Sequence, residues 1–409
     1  MSSVKKSQKV FVGLSGGVDS SVAALFLKEA GYDVTGVFMK CWTSSSARTY
    51  AENNADLRGN SYDCEQERDA ADARRVAEHL GIPFYVFDFE EEYKRKVVEY
   101  MVEGYRAGIT PNPDVECNRE IKFGLFLKRA LELGADYVAT GHYVRKRDSK
   151  LRIHANLRKN SFVDSNKFVV SHRLLQAKDL NKDQSYFLWT LTQDQLRHCL
   201  FPIGDYLKSE VRAIAKRAGL PTAEKKDSQG ICFLGKVTLS DFLKGYIPEK
   251  RGEVLDVRGE RIGEHEGAYF YTIGQRHIGI SNRRPSRTER GLTRTKNFKP
   301  LYVVEKDVET NTVVVAEGGD NPALFRKETN LIGVNLISLE LPSLIRANRR
   351  IDVLARVRYR QPLSRASLKF TTSQVVRLVF ENPQRFVAPG QSAVFYTEEG
   401  ELLGGGVIV

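Results

Sequence analysis

Short apolar runs alternate with segments of helical periodicity through the first half of the chain. Residues 10–14 are typical of a buried strand, whereas residues 22–30 have helical composition and end at Gly31. The alternation continues with predicted strands at residues 34–39, 84–89 and 137–140 and predicted helices at residues 70–80, 94–105 and 121–133. Such alternation predicts an α/β fold built on a doubly wound parallel sheet, whose ligands bind beyond the carboxyl ends of the strands.

The second half of the chain has a different pattern. After one more predicted helix at residues 208–218, short apolar segments alternate with turn signals such as Arg258-Gly259 and Pro389-Gly390. Strands are predicted at residues 302–305, 312–316, 354–359, 375–380 and 393–396. We expect a small central β domain followed by a C-terminal antiparallel β-barrel. The predicted domains are residues 1–220, 221–324 and 325–409.

A glycine-rich turn, Ser15-Gly16-Gly17-Val18-Asp19-Ser20, lies between the first strand and the first helix. Backbone N–H groups at a helix amino end favour anions, and Gly16 and Gly17 let the backbone approach a phosphate closely. Asp19 could hold a divalent cation that bridges phosphate oxygens. Neither Gly-Lys-Ser/Thr nor Gly-x-Gly-x-x-Gly is present, which excludes a Walker loop and disfavours a dinucleotide fold. The turn therefore predicts a phosphate-binding loop.

Positive charge is in excess and unevenly spread. The net charge is +12, and residues 145–182 carry eleven Lys and Arg against three Asp. Residues 282–299 and 344–369 are similarly basic. Any one cluster could be a solvated face, but three of them favour a nucleic-acid partner.

Length and composition limit the remaining possibilities. No window approaches the ~18 consecutive apolar residues of a membrane span, so no membrane partner is expected. Only residues 1–8 precede the first predicted strand, too few for a signal or transit peptide, so we expect a cytoplasmic protein. Five cysteines in 409 residues, without a Cys-x-x-Cys pair, are not a disulfide scaffold or a typical zinc site.

Cys117 lies in a setting that favours chemistry. Two prolines, Pro111 and Pro113, make its approach extended and rigid. The cysteine then precedes the helix predicted at residues 121–133, beside basic side chains, and both features favour the thiolate. Asp114, three residues earlier, could move a proton. The alternative is a buried thiol that acts as a small hydrophobe.

Cys232 lies in a loop-like stretch between two glycines, 115 positions after Cys117. Local sequence leaves packing and chemistry equally open for it. The segment Ser15-Gly16-Gly17-Val18-Asp19-Ser20 resembles the signature of the PP-loop ATP pyrophosphatases, which implies that ATP activates a carbonyl oxygen as an adenylate. With the two thiols, it suggests that a sulfur nucleophile displaces AMP. One cysteine would carry a persulfide, and the other would resolve it to a disulfide. Cys41, Cys64 and Cys199 lack this setting, and Cys199 is predicted to be packed.

Taken together, these segments resemble the tRNA-specific 2-thiouridylase family of the PP-loop ATP pyrophosphatases along nearly the whole chain. The set of motifs is specific, because other PP-loop synthetases lack the segments around both cysteines. The matching segments are residues 15–20, Phe38-Met39-Lys40, Asn112-Pro113-Asp114-x-x-Cys117-Asn118, residues 140–143, residues 182–188, Ser228-Gln229-Gly230-Ile231-Cys232-Phe233, residues 271–276, residues 357–362 and residues 389–394.

The resemblance implies a site for ATP and Mg²⁺, with the metal at Asp19. The ATP-binding residues it implies are Gly13, Leu14, Ser15, Gly16, Gly17, Val18, Asp19, Ser20, Met39 and Gly141. It also implies that Cys117 is the nucleophile and that Cys232 carries the persulfide. The product would be 2-thiouridine, with AMP and pyrophosphate released.

The same resemblance implies contacts with the anticodon region of tRNA and with a sulfur-donor protein. Asn112, Pro113 and Asp114 would meet the wobble uridine. The other tRNA-contacting residues that the resemblance implies are His142, Lys182, Asp183, Gln184, Arg358, Tyr359 and Gln391. From the residues alone, Lys182 to Gln184 could merely start a helix, and Arg358 could be an exposed strand residue.

Three segments depart from the family pattern: residues 43–60, 148–167 and 281–299. The first two are predicted surface loops without an assigned role, and the third replaces a glycine-rich run. Two other functions remain open. An amide-forming PP-loop synthetase would leave both cysteines and the positive charge unexplained. A non-catalytic, nucleotide-responsive tRNA-binding protein would not need either thiol.

Overall fold

The structure is a computed structural model that describes residues 7–42, 65–152, 168–227, 238–276, 278–280, 299–341, 350–371 and 375–409. Cys64 and Cys232 lie outside the described residues. So do the predicted loop at 43–60, most of the predicted loop at 148–167, and all but Lys299 of the segment 281–299.

A five-stranded parallel sheet organises the first part of the described chain. Its strands are β1 (Lys9–Gly13), β2 (Asp33–Lys40), β3 (Phe84–Asp88), β4 (Tyr137–Ala139) and β7 (Cys199–Leu200). Their order is β3-β2-β1-β4-β7, and every pairing is parallel. The predicted doubly wound sheet is confirmed.

Side chains alternate across this sheet into two cores, as the period of a strand requires. Val10 and Val12 pack on one face, whereas Phe11 packs on the other. The first face is covered by α1 (Val18–Glu29), α2 (Glu65–Leu80) and α6 (Lys208–Arg217). The second is covered by two helices interrupted by π-type turns: α3 (Glu90–Tyr93, Lys94–Val98, Glu99–Arg106) and α4 (Pro113–Glu116, Cys117–Phe126, Leu127–Glu132).

Smaller elements complete this part of the chain. Strands β5 (Val144–Arg152) and β6 (Phe168–Gln176) form an antiparallel hairpin, so the first five residues of the loop predicted at 148–167 are strand instead. The helices α5 (Gln193–Arg197) and α7 (Leu239–Lys244) follow. Among the described residues, no helix has the length and apolar character needed to cross a bilayer.

Two β units follow, as predicted. The central sheet has the order β10-β11-β8-β9 and contains one parallel pair, β8 with β11, so it is mixed. Its strands are β8 (Gly252–Asp256), β9 (Arg261–His265), β10 (Leu301–Asp307) and β11 (Thr312–Glu317). A closed barrel then joins β12 (Phe325–Leu336), β13 (Arg350–Arg356), β14 (Ser364–Phe370), β15 (Val376–Arg385), β16 (Ser392–Tyr396) and β17 (Leu402–Ile408). The domain boundaries near residues 220 and 325 stay predictions.

Candidate nucleotide and nucleophile site

The glycine-rich turn forms a closed loop between β1 and α1. Gly16 has a φ of +71°, and a Cβ placed there would lie 2.3 Å from the carbonyl oxygen of Asp69. The hydroxyl oxygen of Ser20 accepts a hydrogen bond from the Ser15 N–H at 3.1 Å, and Ser21 Oγ donates to the Gly17 carbonyl at 2.8 Å. The chain therefore needs glycine at position 16, both for the backbone angle and for the close approach.

The ends of β1 and β2 and the turn after β4 meet around Gly13 and Ser20. A Cβ on Gly13 would lie 3.1 Å from Met39 Cε, so the end of β2 lies against the end of β1. A Cβ on Gly141 would lie 2.6 Å from the Ser20 backbone nitrogen, so the turn after β4 packs directly on the first turn of α1. The carboxyl ends of three neighbouring strands thus border one site, as parallel sheets require.

Asp19 is held by two donors from distant parts of the chain. Its carboxylate accepts hydrogen bonds from Tyr143 Oη at 2.8 Å and from Lys208 Nζ, which lies 2.8 Å from each oxygen. Burial, together with the Asp19 charge and hydrogen bond, raises the pKa of Tyr143 well above its usual range. The tyrosine therefore stays protonated and donates its hydrogen bond to the Asp19 carboxylate.

A second carboxylate, Asp227, collects three cations beside Asp19. Lys182 Nζ lies 2.7 Å, Lys208 Nζ 2.9 Å and Arg212 Nη2 2.6 Å from its oxygens. Partial burial would raise the pKa of Asp227, but the hydrogen bonds and charges of the lysines outweigh it and lower that pKa. Lys208 joins both carboxylates, so the site has a continuous charge network.

The nucleophile segment is a capped helix start. Asn112 is the N-cap of α4, its Oδ1 accepts from the Val115 N–H at 3.3 Å, and Pro113 is the first helical residue. The helix thus begins eight residues before the predicted residue 121, and Cys117 lies in its second turn with 5% exposure. The Asn-Pro-Asp sequence carries this cap signal, which the periodicity argument missed.

The positive charge of Lys122 affects two titratable groups, Asp114 and His142. Burial raises the pKa of Asp114, and the positive charge of Lys122 partly offsets that rise. Burial together with Lys122 lowers the pKa of His142 well below its usual range, so this histidine is neutral. Lys122 therefore acts electrostatically both on the helix start and on the turn after β4.

One helix connects Cys117 with the glycine-rich loop. Cys117 begins the π-type segment of α4, and Phe126, which ends it, has Cε1 3.7 Å from a Cβ placed on Gly13. Between them, the Phe123 ring lies 5.8 Å, centroid to centroid, from the ring of His142. The helix and the loop are thereby parts of one packed unit.

The barrel braces the segment in front of this helix. The Thr110 N–H donates to the Pro389 carbonyl at 2.8 Å, and Gln391 Nε2 donates to the carbonyls of Thr110 at 2.9 Å and Pro111 at 3.3 Å. Arg358 donates to the Ile273 carbonyl at 2.6 Å, linking the barrel to the central unit. Gln391 and Arg358, predicted to contact tRNA, thus have intramolecular partners here.

Three other residues predicted to contact tRNA have hydrogen-bond or ion-pair partners within the protein. His142 is 6% exposed and bonds to Thr140 Oγ1 at 2.8 Å, and the Asp183 side chain is fully enclosed beside Arg356 at 2.5 Å. The Gln184 Oε1 accepts from the Tyr143 N–H at 2.9 Å. In this conformation, the polar atoms of the first two face protein, and their contact with RNA stays a prediction. By contrast, the Lys182 side chain keeps 32% exposure.

Tyr359 and Cys199 both pack against neighbouring side chains or backbone. The Tyr359 ring is packed 4.5 Å from the ring of Phe187, centroid to centroid, and Asn118 Nδ2 donates to the Phe187 carbonyl at 3.3 Å. Cys199 is fully buried, and burial raises the pKa of its thiol to about 12, so it is inert as a nucleophile. Cys232 lies outside the described residues.

Sequence reasoning missed Lys208, Asp227 and Arg212 as site residues. Asp19 and Lys208 are 189 positions apart, and no local pattern connects them. The available signal was modest: a lysine at the first position of a helix, where acidic residues are the usual choice.

Comparisons with known proteins cover nearly the whole chain. Three family models match: the tRNA methyl transferase HUP domain at residues 8–236, the tRNA methyl transferase PRC-barrel domain at 240–317 and the Aminomethyltransferase beta-barrel domain at 335–408. A solved 4-thiouridine synthetase–RNA complex with bound ATP covers 56% of this chain and 45% of its own, at 15% identity and a TM-score of 0.30, which is too low to bear on the site.

Curated relatives are much more similar. The tRNA-specific 2-thiouridylase MnmA of Bacillus licheniformis is 42% identical over 401 residues, covering 98% of this chain and 94% of the relative. The protein of the same name from Pseudomonas putida (strain W619) is 44% identical over 405 residues, with the same coverage. The chain therefore belongs to the tRNA-specific 2-thiouridylase family.

Proposed function

We propose that this protein is a tRNA-uridine 2-sulfurtransferase that converts the wobble uridine of tRNA to 2-thiouridine at the expense of ATP. Full-length relatives at 42% and 44% identity carry that activity in their names. The structural observation that supports it best is the α4 helix, which carries Cys117 in its second turn and packs Phe126 against Gly13 of the phosphate loop. A phosphate site and a thiol joined by one rigid helix suit adenylation followed by attack of sulfur.

In the first step, the uridine O2 attacks the α-phosphorus of ATP. The bond from that phosphorus to the bridging oxygen breaks, and pyrophosphate leaves. The residues around the loop (Gly13 to Ser20, Met39 and Gly141) are our proposed ATP site. Mg²⁺ would add positive charge at the triphosphate, and Asp19 would hold it, since one carboxylate plus substrate phosphates is a common magnesium environment.

In the second step, sulfur replaces the activated oxygen. The terminal sulfur of a persulfide on Cys232 attacks C2, and AMP leaves with the former carbonyl oxygen. The Cys117 thiolate then attacks the sulfur of Cys232, so that the persulfide S–S bond breaks and a Cys117–Cys232 disulfide forms. The half-buried Asp114, with its raised pKa, would take the thiol proton. A thiol reductant and a sulfur-donor protein must then restore both cysteines.

The tRNA would approach from the side of Asn112 and Lys182. Asn112 and Pro113 border the helix start, and the half-buried Lys182 pairs with Asp227 at the edge of the charge network. We propose these residues, together with Tyr359, as contacts of the extruded base and its phosphates. A cytoplasmic location, where ATP and tRNA are both available, follows from this function.

The decisive experiment digests tRNA to nucleosides after incubation with the protein, ATP, Mg²⁺ and a donor of persulfide sulfur, because sulfide alone cannot form the Cys232 persulfide without an oxidant. Mass spectrometry should then detect 2-thiouridine. Cys117→Ser and Cys232→Ser should abolish it, whereas the control Cys199→Ala should not, because that thiol only packs. An amide-forming synthetase would consume ATP without making 2-thiouridine, and a non-catalytic tRNA-binding protein would be indifferent to both serine substitutions.

A further inference from the structure

Lys208 occupies the centre of the charge network. It is the first residue of α6, and its side chain is only 12% exposed. Its Nζ lies 2.8 Å from both oxygens of Asp19 and 2.9 Å from an oxygen of Asp227, with the Tyr143 ring centroid at 5.8 Å. A cation is thus held at the amino end of α1, where the loop offers its own N–H groups to an anion.

The two carboxylates differ in how firmly they are held. Asp227 also binds Lys182 and Arg212, so its position does not depend on Lys208. Asp19 receives only the hydroxyl of Tyr143 besides the ammonium in the hydrogen bonds that the described residues show. Lys208 therefore has one anchored partner and one partner that a ligand can replace.

The arrangement of the charges also favours contact between Lys208 and an incoming anion. Lys182, Lys208 and Arg212 face Asp19 and Asp227, and a third carboxylate, Asp179, accepts a hydrogen bond from the Lys208 N–H at 3.0 Å. Lys182 and Arg212 reach only Asp227, whereas Lys208 alone among these three cations also reaches the phosphate loop. If Asp19 turns to the metal of a bound nucleotide, the ammonium nearest to the phosphates is that of Lys208.

We propose that Lys208 is a catalytic residue of the adenylation step. On ATP binding its ammonium leaves Asp19, stays beside Asp227 and donates hydrogen bonds to oxygens of the β- and γ-phosphates. When the bond between the α-phosphorus and the bridging oxygen breaks, the electron pair moves onto pyrophosphate, and Lys208 neutralises that growing charge. This inference rests on the proposed function, because it concerns the leaving group of that reaction.

The test measures pyrophosphate release in a single turnover at saturating ATP, and separately the binding of inorganic pyrophosphate by calorimetry. In Lys208→Gln we expect release to slow by about a hundredfold to a thousandfold, as when one preorganised charge donor is removed. Pyrophosphate binding should weaken by at least about tenfold, because a charge-assisted bond is lost. The control Lys216→Gln changes an exposed lysine of the same helix that pairs with Glu224, and should alter neither quantity.

A residue that only fastens α6 to α1 would give a different result. Lys208→Gln would then melt at a lower temperature while releasing pyrophosphate at the wild-type rate, and the proposal would be overturned. Should Lys208→Gln fail to fold, Lys208→Arg decides, since it keeps the charge between the carboxylates. Pyrophosphate affinity within about threefold of wild type supports the proposal, and a folded variant that binds more than about tenfold more weakly contradicts it. Failure of the wild-type protein to make 2-thiouridine would instead overturn the proposed function.

Discussion

Gln391, beside the barrel strand β16, donates a hydrogen bond through Nε2 to the backbone carbonyl of Thr110 at 2.9 Å. The two residues are 281 positions apart. Thr110 in turn donates its N–H to the Pro389 carbonyl, and Asn112, two residues later, caps the helix that carries Cys117. The last structural unit of the chain therefore sets the position of the nucleophile segment.

Gln391→Ala should slow thiolation without weakening tRNA binding. Its loss removes hydrogen bonds worth about 1 kcal/mol each, and the segment ahead of Cys117 becomes less well placed. We expect the single-turnover rate at saturating tRNA to fall by roughly tenfold, since small misplacements of reacting groups are costly. Filter binding should give a tRNA affinity close to wild type. Normal turnover with weakened tRNA binding would show instead that Gln391 contacts tRNA; the exposed Glu381→Ala is the control.

Asp183→Asn should be strongly destabilising. The carboxylate is enclosed, pairs with the buried Arg356 at 2.5 Å and also accepts from the N–H groups of Ala177 and Ser185. Removing its charge leaves the guanidinium buried without an ionic partner, which costs about 3–5 kcal/mol. Urea unfolding measures the loss. Arg365→Gln, in the exposed pair with Glu398 at 3.0 Å, should cost less than ~1 kcal/mol, and equal losses in the two variants would contradict the prediction.

Gly16→Ala and Gly31→Ala separate backbone strain from close contact. Both glycines have positive φ, +71° and +82°, so both substitutions carry a conformational cost of about 1 kcal/mol. Only at Gly16 would the new Cβ collide with Asp69, whereas nothing lies within 4 Å at Gly31. Gly16→Ala should therefore lose ATP binding in calorimetry, and Gly31→Ala should retain it. Retention by both variants would exclude a tight loop at the phosphate site.

Lys306 should make stability depend on pH between about 8 and 10. Burial lowers its pKa from 10.5 to about 8, and its Nζ donates to the Tyr271 carbonyl at 2.6 Å. In that range the unfolded chain still holds a proton that the folded protein has lost, so stability rises with pH through this group. Lys306→Met should gain up to about 3 kcal/mol at pH 7, the full extent of the shift. The gain should shrink towards pH 10 in urea unfolding, and a gain independent of pH would contradict the assignment; Lys327→Met is the exposed control.

Local signals made the phosphate loop and the barrel predictable from sequence. Gly16 and Gly17 stand between a strand and a helix within twenty residues, so their chemistry could be inferred without tertiary structure. The parallel pairing of β8 with β11 was not predictable in this way, because turn signals between short strands favour antiparallel neighbours.

Contacts between distant segments account for what the sequence did not reveal. The family resemblance assigned Asp183 to RNA, and the structure adds that its ionic partner Arg356 comes from the barrel strand β13. The same resemblance assigned His142, whose ring packs against Phe123 and Phe201. From the sequence alone, a polar loop residue that faces solvent cannot be distinguished from one that packs against a domain formed later in the chain.

The brace between Thr110 and Gln391 has a consequence for synthesis on the ribosome. At about 5–20 residues per second, the segment ahead of Cys117 emerges roughly 15–60 seconds before the residue that fastens it. A nascent chain, or one that terminates before Gln391, can thus present the glycine-rich loop while the segment ahead of Cys117 is still unfastened. Any chemistry that depends on the placement of that segment must wait until residues 389–391 have been synthesised and folded.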